Sequence, residues 1–269
     1  MYPFIHIGPL TLGTYGLMVA IGLICAFFIL RADFARRGVP ADAEAIIGIT
    51  GLAGLVGSRL YHLLESPAEF FADPWPQLFS TMGFAFAGAI LGGFIALVLL
   101  AKRFKMPILL ILDAASPAGA IGYGIGRIGC LISGDGDYGK PTTLPWGIAF
   151  PNGIVPTNGP TGSCVQWGAA PDCRVHPTPI YEFLAAILIF WILWRLGARA
   201  LKTHAPNGII FSGYLILTGS ARFLVEFIRI NPRSFFGLTN AQAASAVSVL
   251  AGLALFIYCR KNSREMIRA

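Results

Sequence analysis

The chain has 269 residues, of which 55% are hydrophobic and 12% are charged, and its formal net charge is +7. Soluble domains carry roughly 25% charged residues, so this composition excludes an ordinary soluble protein and indicates a membrane protein. The basic residues stand at the ends of apolar segments and not along one face, so nucleic acid is not an expected partner. The cysteines lack the spacing of a zinc site, and neither a metal nor another cofactor is expected.

Seven apolar segments follow one another, each long enough to cross a hydrocarbon core of about 30 Å. In chain order they are Leu10–Leu30, Ala45–Leu64, Met82–Ala101, Pro107–Ser133, Thr178–Trp194, Gly208–Ile228 and Ala241–Tyr258. We therefore predict an all-α, polytopic membrane protein with about seven transmembrane helices, folded as a single transmembrane domain over residues 1–269. The fourth segment exceeds the roughly 20 residues that a spanning helix needs, so we expect it to be tilted, broken or partly buried in protein.

The Lys and Arg residues between these segments fall mainly on one side of the predicted bundle. That side holds thirteen of them, the other side holds four, and three more lie inside apolar segments. By the positive-inside rule the first side is cytoplasmic, so we predict an exported N-terminus and a cytoplasmic C-terminus. The first six residues contain no Lys or Arg, so a cleaved signal peptide is not expected. The four basic residues on the exported side are Lys140, Arg174, Arg229 and Arg233.

Three arginines, Arg59, Arg127 and Arg222, lie inside apolar segments. A charge at the centre of a membrane helix costs at least about 2.5 kcal/mol, so such residues usually face a polar cavity and carry function. The alternative is that they extend to the membrane interface or pair with buried carboxylates, for which Glu182 and Glu226 are available.

A polar loop rich in glycine and proline, residues 134–177, connects the fourth and fifth segments on the exported side. Loops of this length are usually functional or disordered. Cys164 and Cys173 lie nine positions apart within the loop. Because the exported compartment is oxidising, we expect a disulfide between them, with two free thiols as the alternative.

The segment Gly124–Gly129 fits the dinucleotide pattern G-x-G-x-x-G, but it lies in an apolar helix without the strand that this motif requires. We therefore interpret the glycines differently: they flank Arg127 and leave room for a bulky head group to approach its guanidinium.

Gly126-Arg127-Ile128-Gly129, followed by Ser133-Gly134-Asp135 and Tyr138-Gly139, resembles the signature of the bacterial prolipoprotein diacylglyceryl transferase family. The resemblance extends along the whole chain, in the same order as the family's other motifs. The further matching segments are Thr14–Met18, Gly57–Arg59, His176–Thr178 with Tyr181 and Glu182, and Arg222–Arg229.

The resemblance implies an enzyme of the bacterial cytoplasmic (inner) membrane, with its active site toward the outer face. Such an enzyme transfers the diacylglyceryl group of phosphatidylglycerol to the lipobox cysteine thiol of exported preproteins and releases glycerol 1-phosphate. The implied partners are phosphatidylglycerol, lipobox-containing preproteins and membrane lipid. Arg127 and Arg222 are the expected catalytic residues, because guanidinium forms paired, charge-assisted hydrogen bonds with phosphate. The expected substrate-binding residues are Tyr15, Arg59, Asp135, Gly139, His176 and Glu226.

Four departures from the family pattern bear on catalysis. Ala87 replaces a histidine in the third segment that is a candidate general base, and Cys130 replaces an asparagine. Thr218 replaces a tyrosine, and the loop motif carries one extra residue within Asp135–Tyr138.

His62 and His176 are the candidate replacements for the missing base, and Asp135 and Asp137 are further candidates. For His62 the alternative is an interfacial side chain, and for His176 it is a residue that anchors the loop. For the whole protein, the alternatives to a transferase are a non-catalytic lipid-binding or assembly protein on the same scaffold and, less favoured, an anion transporter.

Overall fold

The computed structural model describes residues 1–8, 10–40, 42–79, 85–234 and 236–268. In chain order the elements are β1 (Phe4–Ile7), β2 (Leu10–Gly13), α1 (Thr14–Arg37), α2 (Ala43–Glu65), α3 (Pro67–Ala72), α4 (Pro74–Phe79), α5 (Phe86–Arg103), α6 (Ile108–Ser133), β3 (Pro141–Thr142), α7 (Ser163–Gln166), β4 (Arg174–Val175), α8 (Thr178–Lys202), α9 (Ile209–Val225) and α10 (Asn240–Arg268).

Five helices in these ranges, α1, α2, α6, α8 and α10, are long and apolar enough to cross a membrane. Helix α9 is apolar but has 17 residues. The prediction of a mostly helical, polytopic membrane protein is therefore confirmed, and the number of seven spanning helices stays a prediction. Two small antiparallel sheets, β1–β2 and β3–β4, are absent from the all-α prediction. The start of the predicted third span, Met82, lies outside the described residues, as do the other residues of 80–84.

The chain divides into two compact units. We call residues 1–29 and 112–269 the larger unit, and residues 30–111 the smaller unit. In the smaller unit, α2 and α5 pack with their backbones in contact: a Cβ atom added at Gly57 would lie 2.5 Å from the carbonyl oxygen of Gly88 and 3.1 Å from Cα of Gly92. Small residues at such crossings allow this approach in lipid. The Asp42 side chain caps α2 by accepting hydrogen bonds from the backbone N–H groups of Glu44 and Ala45, at 2.8 and 3.1 Å.

The larger unit contains most of α6, which continues unbroken through Pro117. Of its apolar window, 44% is buried, compared with 22–28% for the other four long helices. The structure thus supports the expectation that this segment is partly buried in protein, and it contradicts the expectation that the helix is broken. Helix α9 is fixed by the buried Asp113 carboxylate, which accepts hydrogen bonds from the N–H groups of Gly208 at 2.8 Å and Phe211 at 2.7 Å. At the start of α10, Thr239 and Gln242 form a reciprocal capping box.

The loop of residues 134–177 folds around a small core of its own, made of Tyr138, Phe150, Cys164 and Val175. The Tyr138 ring stacks on Phe150 with 4.9 Å between the ring centroids. Cys164 and Cys173 form a disulfide, with their Cα atoms 5.8 Å apart. The loop therefore has a defined structure, which it owes to local packing and to this cross-link.

Candidate active site

Charged side chains from α6, α8 and α9 meet at one end of the larger unit. Arg127 lies in the last two turns of α6, Glu182 in the first two turns of α8, and Arg222 in the last turn of α9. Helices α6 and α9 run toward this end and α8 runs away from it, so residues far apart in sequence come together. We call the resulting group, Arg127, Asp137, Glu182, Arg222, Glu226 and Arg229, the arginine–carboxylate cluster.

Glu182 is the centre of this cluster, and only 3% of its side chain is exposed. Its Oε1 atom accepts hydrogen bonds from Nη1 of Arg222 at 2.8 Å and from Nη1 of Arg229 at 3.4 Å. Its Oε2 atom pairs with Nε of Arg127 and accepts the hydroxyl hydrogen of Tyr123. One carboxylate thus orients three guanidinium groups.

Arg222, Glu226 and Arg229 recur at intervals of four and three residues, so a continued helical turn places them on one face. Two backbone hydrogen bonds continue the turn beyond α9, from Glu226 N to Arg222 O at 3.2 Å and from Arg229 N to Glu226 O at 3.3 Å. The fully buried Glu226 carboxylate lies 2.9 Å from Nη2 of Arg222 and 3.5 Å from Nε of Arg229. Nδ2 of Asn231 donates a hydrogen bond to its other oxygen.

Asp137 joins the exported loop to the cluster. Its two oxygens pair with Nη1 of Arg127 and Nη2 of Arg229, and its carbonyl oxygen accepts a 3.2 Å bond from Arg229 and a 2.7 Å bond from the Thr178 hydroxyl. Burial raises the pKa of Asp137, but Arg229 and Arg127 outweigh burial, so its pKa lies below the ordinary value. Burial lowers the pKa of Arg229, and Asp137 and Glu182 more than reverse this. Three guanidiniums and three carboxylates therefore balance in charge.

Gly139 holds the loop in this position. Its N–H donates to His176 O at 2.8 Å, and the neighbouring N–H of Lys140 donates to Ile228 O, also at 2.8 Å. A Cβ atom at Gly139 would lie 2.6 Å from Ile228 O and 2.9 Å from the His176 Cβ. Only glycine fits between the Ile228 carbonyl and the His176 side chain. The close packing of the loop against Ile228 places Asp137 beside Arg229.

The glycines around Arg127 differ in their surroundings. A Cβ atom at Gly126 would meet nothing within 4 Å, whereas one at Gly129 would lie 3.0 Å from Met18 Cβ and 3.2 Å from Cδ2 of Tyr15. Gly126 therefore faces open space, and the approach of a head group there stays a prediction, whereas Gly129 allows Tyr15 to pack against α6. The Arg127 guanidinium carbon lies 4.9 Å from the centre of the Tyr123 ring, in cation–π contact.

Asp135 stands apart from the three cluster carboxylates. It follows Gly134, whose φ of +62° lies in the left-handed region, and its Oδ1 accepts a 3.2 Å hydrogen bond from the Asp137 N–H. One of its carboxylate oxygens lies within 4.8 Å of the Cys130 sulfur. Burial raises the pKa of Asp135 above the ordinary carboxyl value. In the described ranges, no Arg or Lys forms an ion pair with Asp135.

Cys130, Asp135 and Asp137 bring possible metal-ligand atoms within 4.8 Å of one another. Both oxygens of Asp137 are engaged by arginines, however, and the guanidinium of Arg127 lies next to the group. The ligand atoms of Asp137 are therefore already engaged in ion pairs, and a positive charge lies beside this group.

A family model described as prolipoprotein diacylglyceryl transferase matches residues 3–258 of the chain. The chain belongs to this family. It is 34% identical over 247 residues to the phosphatidylglycerol–prolipoprotein diacylglyceryl transferase of Clostridium tetani, covering 90% of this chain and 91% of the relative. It is 33% identical over 241 residues to the enzyme of the same name from Geobacter sulfurreducens, covering 87% and 84%. A third such enzyme, from Pseudoalteromonas atlantica, is 30% identical over 270 residues, covering 96% and 89%.

The other expected site residues of this family member fall into two groups. His176 is half-buried and its Nδ1 lies 3.3 Å from the Tyr181 hydroxyl, which accepts a 2.7 Å bond from Nε1 of Trp146. This arrangement fits the loop-anchoring alternative. Arg59, which is 8% exposed, and His62 both lie toward the end of α2 in the smaller unit, where their assigned roles stay predictions.

Two residues of this region, Arg229 of the cluster and Tyr123 beside it, were not predicted as site residues. Arg229 was predicted as an exported basic residue and as the end of a segment that matches the family, and its spacing from Arg222 and Glu226 is helical. Tyr123 precedes Arg127 by one helical turn, but an aromatic residue in an apolar helix gives no distinct signal. Asp137 and Glu182 were considered only as a possible base and a possible arginine partner, and the structure makes both central to the cluster.

Proposed function

We propose that this protein transfers the diacylglyceryl group of phosphatidylglycerol to the thiol of a lipobox cysteine in exported preproteins, with release of glycerol 1-phosphate. The observation that carries the proposal is the convergence of Arg127, Arg222 and Arg229 on shared carboxylates, within the range that the family model matches. The substrates are those that the names of the relatives state.

In this reaction the thiol sulfur forms a bond to the terminal glycerol carbon of the diacylglyceryl group. The bond between that carbon and the phosphate oxygen breaks, and its electron pair leaves with the phosphate. The thiol proton passes to a base. Negative charge therefore grows on the departing phosphate, and positioned guanidinium groups stabilise such charge.

The three arginines differ in how far they can reach a lipid. The side chains of Arg127 and Arg222 are 15% and 22% exposed, and that of Arg229 is 4% exposed. We therefore assign phosphate binding to Arg127 and Arg222, and to Arg229 the role of holding Asp137 and Glu182. Glu182 and Glu226 keep the two phosphate-binding guanidiniums at fixed positions, which reduces the reorganisation needed when the lipid binds.

The proposal places seven helices across the inner membrane, with the N-terminus and the cluster toward the outer face and the C-terminus in the cytoplasm. The distribution of Lys and Arg supports this orientation. Reporters fused to the two ends test it: an enzymatic reporter after the C-terminus should act in the cytoplasm, and a tag before the N-terminus should be accessible from outside. The reverse pattern would move the cluster to the cytoplasmic face.

The activity test compares lysine variants in transfer of labelled diacylglyceryl from phosphatidylglycerol to a lipobox peptide by purified protein. Lysine keeps the charge but loses the planar pair of donors, so Arg127→Lys and Arg222→Lys should each reduce the rate by about 10²–10³-fold. Arg199→Lys, an exposed residue at the opposite end of α8, is the matched control. Arg59→Lys should have a milder effect. Unchanged transfer in both cluster variants would refute these roles.

A second candidate, a non-catalytic lipid-binding protein on the same scaffold, is favoured by one observation, the Ala87 that replaces the family histidine. The same assay separates the two. Binding of phosphatidylglycerol by the unmodified protein without any transfer would support this second function.

A further inference from the structure

The side chains of His6 and His176, in the larger unit, contact groups outside the arginine–carboxylate cluster. His6, in β1, contacts the Thr11 hydroxyl at 3.0 Å, and His176 contacts Tyr181. His204 follows α8 at the end opposite Glu182, roughly 30 Å away at 1.5 Å per helical residue. Within the described part of this unit, no histidine is recorded in a hydrogen bond or ion pair with a cluster residue. We therefore consider the carboxylates of this unit as candidates for the base that takes the thiol proton.

The carboxylates at this end of the unit are not equivalent. Asp137, Glu182 and Glu226 each hold two or three guanidiniums, so their lone pairs are committed to ion pairs. Asp135 carries a carboxylate that, across the described ranges, is in no ion pair with an arginine or lysine. A carboxylate outside such pairs keeps more of its affinity for a proton than one held by guanidiniums.

Asp135 also lies where a thiol can reach it. Cys130 Sγ lies within 4.8 Å of a carboxylate oxygen of Asp135 and 4.0 Å from Nη1 of Arg127. The structure thus already contains a thiol between the Asp135 carboxylate and a guanidinium assigned to the phosphate. A substrate thiol that occupied a neighbouring position would direct its proton at Asp135. The phosphate of the lipid substrate would then face Arg127.

We infer that the Asp135 carboxylate accepts the proton of the lipobox thiol as the sulfur attacks the glycerol carbon. The inference rests on the proposed transfer reaction and names the base for it. The sulfur–carbon bond forms, the carbon–oxygen bond to phosphate breaks, and the proton moves from sulfur to a carboxylate oxygen of Asp135. The acid so formed then releases the proton to the departing phosphate or to water.

The charged and titratable groups around Asp135 come from three segments. They are Tyr15 of α1, Arg127 and Cys130 of α6, and Asp137 and Tyr138 of the loop. Burial and, to a lesser extent, the Asp137 charge raise the Asp135 pKa, and Cys130, the Asp137 N–H and Arg127 lower it, with a net rise. A raised pKa brings a carboxylate closer to the working pH, which is where a general base acts best.

The test compares two lipobox peptides, one with cysteine and one with selenocysteine, as acceptors of diacylglyceryl from phosphatidylglycerol in mixed micelles. A selenol is already ionised at neutral pH and needs no base. Asp135→Asn should therefore lose about 10²–10⁴-fold in rate with the cysteine peptide and far less with the selenocysteine peptide. Asp135→Glu should recover part of the cysteine-dependent rate.

Asp137→Asn is the matched variant, because it makes the same chemical change two residues away, on a carboxylate that positions arginines. Its rate should fall by a similar factor with both peptides. In the pH profile, the unmodified protein should lose activity as the pH falls through the Asp135 pKa. The rate of Asp135→Asn should instead keep rising toward the thiol pKa of about 8.5.

Equal losses with the two peptides in Asp135→Asn, or no loss with either, would overturn the inference. So would a cysteine-specific loss in His62→Asn in place of Asp135→Asn, which would assign the base to the smaller unit. Absence of transfer to either peptide by the unmodified protein is a different result, because it would overturn the proposed function itself and the assignment of a base with it.

Discussion

Replacing Glu182 by glutamine should unbalance the arginine–carboxylate cluster more than any other single isosteric change. The variant leaves three guanidiniums against two carboxylates in a site where the Glu182 side chain is 3% exposed. It also turns an NH₂ group toward arginine donors that previously faced an oxygen. Removing one member of a buried ion pair costs roughly 3–5 kcal/mol. Because Arg127 and Arg222 keep 15% and 22% exposure, solvent relieves part of the excess charge, and we expect about 3 kcal/mol.

Thermal unfolding of the purified protein in detergent measures this loss. For a chain of this size 1 kcal/mol corresponds to about 2–4 °C, so Glu182→Gln should unfold about 6–12 °C lower. The control is Glu65→Gln, the same chemical change at an exposed carboxylate at the end of α2, which should leave the midpoint within about 2 °C.

The lipid itself gives a second readout. Phosphatidylglycerol supplies an anion that can replace the lost carboxylate, so it should raise the midpoint of Glu182→Gln more than that of the unmodified protein, and phosphatidylcholine should not. An unchanged midpoint together with full transfer activity would show that Glu182 does not hold the three arginines, and the account of the cluster would be wrong.

Three further outcomes follow from the loop. Gly139→Ala should destabilise the protein by about 1–3 kcal/mol in the same unfolding measurement, because the added methyl collides with the Ile228 carbonyl oxygen and with the His176 Cβ. Gly16→Ala, where a Cβ meets nothing within 4 Å, should not destabilise it. The Asp137 pKa is lowered on folding, so the contribution of Asp137 to stability is present above the ordinary carboxyl pKa and is lost as the pH falls through the lowered value. The unfolding midpoint of Asp137→Asn should therefore depend less on pH between about pH 6 and pH 3 than that of the unmodified protein. Mass spectra of unreduced, alkylated peptides should show Cys164 and Cys173 in one cross-linked species. Reduction of this disulfide should lower the free energy of unfolding by about 2–3 kcal/mol. Alkylation of both thiols without reduction would contradict the bond.

The membrane-spanning helices were largely predictable from the sequence because their signal is length and apolarity. Their ends were less so. Helix α1 was predicted to end at Leu30 and continues to Arg37, since Asp33 pairs with Arg36 and with Arg37, the latter at 2.7 Å, and these contacts support a polar extension of the helix. Conversely, Leu10–Gly13 was assigned to a helix and forms a strand paired with Phe4–Ile7. A short apolar run fits a strand as well as a helix, and hydropathy alone does not separate the two.

The candidate site was predictable only in part, for a similar reason. Arg127 and Arg222 stand out because a charge in an apolar helix is conspicuous. Arg229 lies just beyond the end of α9, where a basic residue is ordinary, and its partner Asp137 is 92 positions earlier in the chain. A pair so distant in sequence leaves no periodicity. The histidines show a different difficulty: His62 and His176 stay candidate bases, and the 3.3 Å contact of His176 with the Tyr181 hydroxyl fits a loop-anchoring residue as well.

Two departures from the family pattern, Cys130 and the extra loop residue, acquire a common physical meaning if Asp135 is the base; Thr218 has no part in it. A carboxylate can serve as a base here only if the neighbouring arginines are neutralised by other groups. The extra residue of the loop motif makes room for two acids, Asp135 and Asp137, before the tyrosine. Asp137 neutralises Arg127 and Arg229, and Asp135 lies within 4.8 Å of the Cys130 sulfur, at the position where the family has an asparagine. The loss of the histidine at Ala87 is then offset by a division of labour between two aspartates, one of which positions arginines while the other takes the proton.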